Sequence, residues 1–225
     1  MRKLLFVFIA AILAGNLDAQ SCNGYYYMQN NKTITMTLYN GKGKENGKYV
    51  YKVSDVKTNG GTTTSKVESQ VMDDKGKTIG GSVANMKCTG GVYMADMKVM
   101  MPPQQAGQMK DMDANSEFYL EYPVTMNVGD ALKDGSFSAD MSGTNGMPMT
   151  LEMSITDRKV VGEETVTTTA GSWKCYRITH TDKLRTKVAG MGIPFTLNTT
   201  EWFAPGFGIV KSESKWGKSE ITSIQ

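Results

Sequence analysis

The chain has a single histidine, so any chemistry that needs an imidazole must use it. His180 stands in Arg177-Ile178-Thr179-His180-Thr181-Asp182. In a regular strand Asp182, two residues on, shares the face of His180, so the two can pair. A hydrolytic triad would also need a nucleophile tied to that pair, and no Ser or Cys motif supplies one. A strand histidine flanked by threonines reads more plainly as a half-exposed surface residue, and no catalytic role is assigned to it. Glu163 and Glu164 are adjacent, so they point to opposite faces of a strand and make no acid–base dyad. Gly76-Lys77-Thr78 and Gly217-Lys218-Ser219 carry the last letters of a phosphate loop. The earlier glycine such a loop requires would fall at Val71 and Ser212, and both tripeptides read as hairpin turns. Gly41-Lys42-Gly43-Lys44 reads as a basic turn. The expectation is a protein that is not an enzyme and holds no cofactor and no metal.

The thiols depend on the compartment. Arg2 and Lys3 precede a run of 12 residues, Leu4 to Gly15, that is too short to span a bilayer and suits a signal-peptide core. Cleavage is placed after Ala19. Residues 1–19 then form the signal peptide and 20–225 one domain without a transmembrane segment, in the periplasm or secreted. Lipid attachment at Cys22 is the lesser alternative, because Ala19-Gln20-Ser21 fits poorly ahead of a lipidated cysteine. In an oxidising compartment Cys22, Cys88 and Cys175 allow three pairings. Cys175 lies in a strand-like run and reads as a small buried hydrophobe. Cys22 and Cys88 border turn-like segments, so Cys22–Cys88 is the preferred bridge, against no bridge at all.

Methionine is the compositional anomaly. There are 17 Met against 10 Leu, and 12 of the Met fall between Met86 and Met153. The spacing Met94-x-x-Met97-x-x-Met100 could suit Cu(I), but no His or Cys stands near, and strand positions alternate faces. A second reading is a pliable apolar cavity, because a flexible thioether side chain adapts to irregular ligands. A methionine-rich core without a ligand is the plain alternative. The residues expected to line a cavity are Met94, Met97, Met100, Met101, Met149, Leu151 and Met153, with Trp202 at its rim.

These residues must be held by strands. Period-2 alternation of β-branched, aromatic and methionine residues runs through 33–39, 48–56, 62–72, 78–88, 92–97, 117–122 and 135–142. It continues through 149–156, 159–168, 172–181, 186–203 (long enough for one or two strands), 209–214 and 219–224. Glycine-bearing turns such as Asn40-Gly41, Asn46-Gly47, Asn59-Gly60-Gly61, Thr89-Gly90-Gly91 and Asn145-Gly146 separate the runs. The fold class expected is mainly β: a single strongly curved antiparallel sheet of about a dozen strands, a half-barrel-like meander. The exception is residues 99–116, which carry Pro102-Pro103 and no alternation. That segment is expected to be an irregular or short helical crossover, either a lid or a solvated loop.

A net charge of +3, spread along the chain, gives no basis for nucleic-acid binding. Several stretches resemble a TapB-type family of exported proteins from Gram-negative bacteria. They include CNGYYY from Cys22, KCTGGVYMADM from Lys87, YPVTMNVGDALKD from Tyr122 and EWFAPGFGIVKSESKWGK from Glu201. The resemblance implies a curved sheet like that of the lipoprotein carriers LolA and LolB, with an apolar trough on its concave face closed by helices. It implies no activity and no site residues. Together these readings give a non-catalytic periplasmic or envelope protein whose partner is a lipid or acyl chain held on the concave face. The alternative is an envelope structural or interaction module with a solid core and a protein partner.

Overall fold

A computed structural model describes residues 22–100, 118–142, 147–188 and 190–225. The expected signal peptide, the body of the expected crossover and Asn145-Gly146 lie outside those residues. The described chain forms twelve strands: β1 (Thr33–Asn40), β2 (Glu45–Asn59), β3 (Thr62–Asp73), β4 (Thr78–Thr89), β5 (Val92–Asp96), β6 (Tyr119–Pro123), β7 (Gly135–Ser142), β8 (Pro148–Thr168), β9 (Gly171–Val188), β10 (Met191–Ala204), β11 (Gly208–Ser214) and β12 (Gly217–Ile224). They make one antiparallel sheet in the order β6-β5-β4-β3-β2-β1-β12-β11-β10-β9-β8-β7. The sheet is nearly closed into a barrel. Pairing of β1 with β12 joins the two halves of the meander, and the seam lies between β6 and β7.

Alternation explains which face is buried. In β3, Thr63, Ser65, Val67, Ser69 and Val71 are buried in turn while their neighbours point outward. Two hairpins show why glycine is abundant. Gly60 and Gly61 have φ of 55° and 79°, and Gly90 and Gly91 have 56° and 74°. A two-residue turn with both φ positive matches the strand twist and favours glycine at both positions.

Three strand boundaries differ from the alternation pattern. Residues 149–156 and 159–168 form one long strand, β8, bent where Asp157 takes φ 57° and the register to β9 shifts. A bulge keeps both segments in one sheet, so the break in periodicity marks a bend and not a turn. Residues 186–203 divide between two strands: 186–188 end β9 and 191–203 lie in β10, with Val188 paired to Met191. Asn46-Gly47 sits inside β2, at a register shift opposite Leu38 and Tyr39, and not in a turn.

Residues 22–28 form two short 3-10 turns that plug the barrel end beside the β2–β3 and β4–β5 hairpins. The Cys22–Cys88 disulfide fastens this plug to β4, with Cα atoms 5.6 Å apart. Tyr25 stacks on Tyr93 with ring centroids at 4.6 Å, and Tyr27 meets Tyr51 edge-on at 6.0 Å. Ser65 Oγ donates to the Tyr27 carbonyl at 2.5 Å. Across the seam, Leu120 of β6 and Met97 pack on Gly135 of β7.

Candidate functional site

Inside the sheet lies a cavity of about 270 Å³. Its walls are largely apolar: Met36, Tyr51, Met86, Tyr93, Met153 and Ile155 among others, with Tyr27 of the plug contributing to the lining. One side is polar. His180 and Asp182 of β9 and Thr199 and Glu201 of β10 face inward there. Strand parity puts them together: Asp182 pairs with Leu197, and His180 with Thr199. Ser212, Ser214 and Ser219 line the same cavity from β11 and β12.

The polar side is a buried charge cluster. His180 Nδ1 lies 3.0 Å from Asp182 Oδ1, although the contact is out of line for a straight N–H···O bond. His180 Nε2 lies 3.7 Å from Glu201 Oε2. Tyr122 donates its hydroxyl to Glu201, at 3.0 Å to Oε1 and 3.2 Å to Oε2. Arg158 Nη2 stands 3.8 Å from Glu201 Oε1, and the guanidinium lies over the Tyr122 ring at 4.6 Å. Arg158 Nη1 donates to the carbonyls of Glu121 at 3.0 Å and Lys133 at 2.7 Å, so the same residue also ties β6 to the approach to β7. Thr199 Oγ1 donates to Asp182 Oδ2 at 2.5 Å.

Burial by itself would push the His180 pKa down. The carboxylates of Glu201 and Asp182 outweigh it and hold the imidazole protonated, with its pKa raised to about 10. Burial pushes the Glu201 carboxyl up, but His180, Arg158 and the Tyr122 hydroxyl together bring it below the ordinary carboxylate range. Two cations and two carboxylates therefore neutralise one another inside the wall. An imidazole held protonated has no lone pair to act as a base near neutral pH. Cys175 is buried, and burial raises its thiol pKa to about 12, which leaves little thiolate to attack anything.

The expected cavity residues scatter. Met153 lines the cavity. Leu151 and Met97 are fully buried in the core, the latter at the seam. Met149 is half-buried, on the same face farther along β8. Met94 lies on the opposite face from Tyr93 and Ala95, whose side chains line the cavity, so Met94 and Met97 do not converge. Trp202 also faces away from the cavity. Its Nε1 donates to Glu164 at 2.6 Å and Lys211 lies over its ring at 4.2 Å. The side chain of Met100, and Met101, lie outside the described residues. His180 is buried and not half-exposed, although its pairing with Asp182 follows the two-residue spacing. Among the described residues no cluster of three or more His, Cys, Asp or Glu suits a metal ion.

The alternation pattern does not mark Glu201, Arg158 or Tyr122 as members of a site. The signal for Glu201 was the inward set Leu197, Thr199, Glu201 and Phe203. It is ambiguous in the sequence, because Trp202 and Phe203 give both faces of β10 an aromatic residue. Nothing local marks Arg158 as buried.

The DUF3108-like family matches residues 29–225. The chain belongs to the DUF3108-like family. This is coarser than the TapB-type reading of the sequence motifs, and it carries no LolA or LolB likeness with it; the described residues form strands and short 3-10 turns, so no α-helix among them closes the concave face. No curated protein matches the chain in sequence. Among solved structures, the chain is similar to a protein described as exported, with a YmcC-like fold, from Bacteroides fragilis NCTC 9343. That match has 25% identity and a TM-score of 0.70, and covers 88% of this chain and 96% of the other. A protein described as a lipoprotein from Parabacteroides distasonis ATCC 8503 has the same fold, with 17% identity and a TM-score of 0.71, covering 89% and 99%.

Proposed function

We propose that this is a non-catalytic envelope protein that holds a lipid or another small apolar molecule in the cavity of its curved sheet. The cavity itself carries the reading. It is walled by methionine and tyrosine side chains where a solid-core interaction module would be filled. Its volume of about 270 Å³ falls just below the usual range of ligand pockets, about 300–1,000 Å³, which suits one acyl chain or a comparably slender molecule. The polar wall of His180, Thr199 and Glu201 would orient a polar head, much as a few placed polar groups orient ligands in apolar pockets. Export is supported by the description of the Bacteroides relative as an exported protein. A Cys22 sulfur already joined to Cys88 has no thiol left to bear a thioether-linked lipid, which favours a form without an anchor at that residue.

Protein recovered after export should yield a lipid or similar apolar compound on solvent extraction and mass spectrometry. It should also bind a fluorescent fatty acid. Leu197 lines the cavity and is only half-buried, so Leu197→Trp fills space without disturbing the core. Excluding two or more CH₂ groups of ligand, at about 0.8 kcal/mol each, should weaken binding about tenfold or more. Clean extracts together with no fatty-acid binding would overturn the proposal.

A further inference from the structure

Strand lengths leave one ribbon overhanging the barrel. β11 pairs with β10 only from Thr199 to Ala204, so among the described residues Met191–Asn198 has no strand partner on that edge, while β9 pairs with it on the other. Eight residues of extended strand span about 26 Å at ~3.3 Å each. The ribbon continues through the distal halves of β9 and β8.

The two faces of this ribbon differ sharply. Leu197 lines the cavity, and the same face of β10 continues outward through Phe195, Ile193 and Met191. Ile193 is 89% exposed and Met191 77%. Val188 pairs with Met191 on that face, and the exposed Trp216 of the β11–β12 turn meets Phe195 with ring centroids at 6.2 Å. Six of the nine exposed large hydrophobic residues among the described residues cluster here: Met147, Val188, Met191, Ile193, Phe195 and Trp216. Soluble surfaces rarely gather apolar side chains in this way without a partner.

The opposite face is basic. Residues 183–196 carry Lys183, Arg185 and Lys187 and no Asp or Glu. Glu152 of the neighbouring strand meets Lys187. The turns at the same end of the barrel add Lys42, Lys44 and Lys215, the last lying over Trp216 at 5.4 Å. We infer that this amphipathic ribbon docks on an anionic lipid surface, with Met191, Ile193, Phe195 and Trp216 entering the headgroup region. Lys183 and Arg185 reach the phosphates from the other face, and Lys42, Lys44 and Lys215 from the rim. Apolar insertion combined with basic residues is the chemistry that holds interfacial elements to anionic membranes. Long cationic side chains can lay their stems along the apolar layer and keep their charges in the headgroups. A second protein strand is the other candidate for this open edge, but Pro194 in its middle discourages strand addition. The apolar face runs directly into the cavity wall, so docking would place the cavity beside the bilayer. The docking inference does not require the cavity to be occupied.

The test uses the disulfide-bonded chain recovered after export, with an intact mass free of attached lipid. Co-sedimentation is measured with vesicles of phosphatidylglycerol and phosphatidylcholine, and with phosphatidylcholine alone. The parent protein should pellet with the anionic vesicles. Met191→Ser combined with Ile193→Ser should lower the partition about tenfold or more. Lys183→Ser and Arg185→Ser should each lower it about fivefold on anionic vesicles, and little on neutral ones. Ile79→Ser with Val83→Ser, exposed apolar residues elsewhere on the sheet, should leave it unchanged. The inference fails if the parent does not pellet, or if the Met191/Ile193 variant pellets like the parent. It also fails if the Ile79/Val83 variant loses as much. A dimer in solution that Ile193→Ser converts to monomers would assign the face to a second copy and overturn the proposal.

Discussion

At the scale of single residues, the most consequential group is His180. Its value lies in neutralising Glu201 within the wall, a role that removal exposes. His180→Gln leaves Glu201 with Arg158 at 3.8 Å and the Tyr122 hydroxyl. Leaving a buried charge with no partner costs about 3–5 kcal/mol, and because Arg158 and Tyr122 remain, the loss here is smaller, about 1–3 kcal/mol. Urea unfolding should report a loss of that order. The pH dependence has a definite sign. The folded pKa of His180 is raised to about 10 from an ordinary 6.5. Its contribution is therefore complete below about pH 6.5 and is lost as pH rises through about 10. The stability difference between parent and His180→Gln should shrink over that window. A difference that stays constant between pH 6 and 10 would mean the imidazole is not held protonated by Glu201 and Asp182.

At the scale of elements, the weak place is the seam. β6 and β7 are the ends of the sheet order, and side chains hold them where a ladder would. Gly135 is central to this closure. A Cβ built there would stand 2.6 Å from Leu120 Cδ2 and 3.0 Å from Met97 Sδ. Both neighbours are ends of flexible side chains, so Gly135→Ala should overpack the seam and cost about 1–3 kcal/mol. Thermal or urea denaturation measures this. Adding Leu120→Ala should recover part of the overpacking loss, a coupling that two independent sites would not show.

Across the whole molecule, the N-terminal plug and its bridge decide whether one end of the barrel is shut. The Cys22–Cys88 link spans 66 positions in sequence. Loop closure of that length is worth about 4 kcal/mol. Cys22→Ser with Cys88→Ser should lose stability of that order, measured by urea unfolding against the oxidised parent. Amide exchange at residues 25–28 should quicken more than in β8 and β9, because the plug is the part released. Uniform loss of protection would show that the bridge supports the entire sheet equally. The same plug supplies Tyr27 to the cavity, so the double variant should also weaken binding of the fatty-acid probe.

The amino-acid sequence by itself determines the β architecture. Alternation fixes which runs are strands, and Asn59-Gly60-Gly61 and Thr89-Gly90-Gly91 fix hairpins, because both signals are local. The two-residue spacing of His180 and Asp182 likewise puts them on one face, a property of strand geometry. Inward and outward are not local. Trp202 and Phe203 are equally plausible core residues until β10 is seated between β9 and β11, and that seating makes Glu201 an inward charge. Methionine richness names soft packing without saying where it is. Met97 closes the seam, Met153 lines the cavity and Met94 faces outward because of strand parity and sheet curvature. The cluster joins Arg158, His180 and Glu201, on the consecutive strands β8, β9 and β10, to Tyr122 of β6, 79 positions from Glu201 in sequence. Only tertiary structure assembles it, since no residue in it carries a local signature of burial.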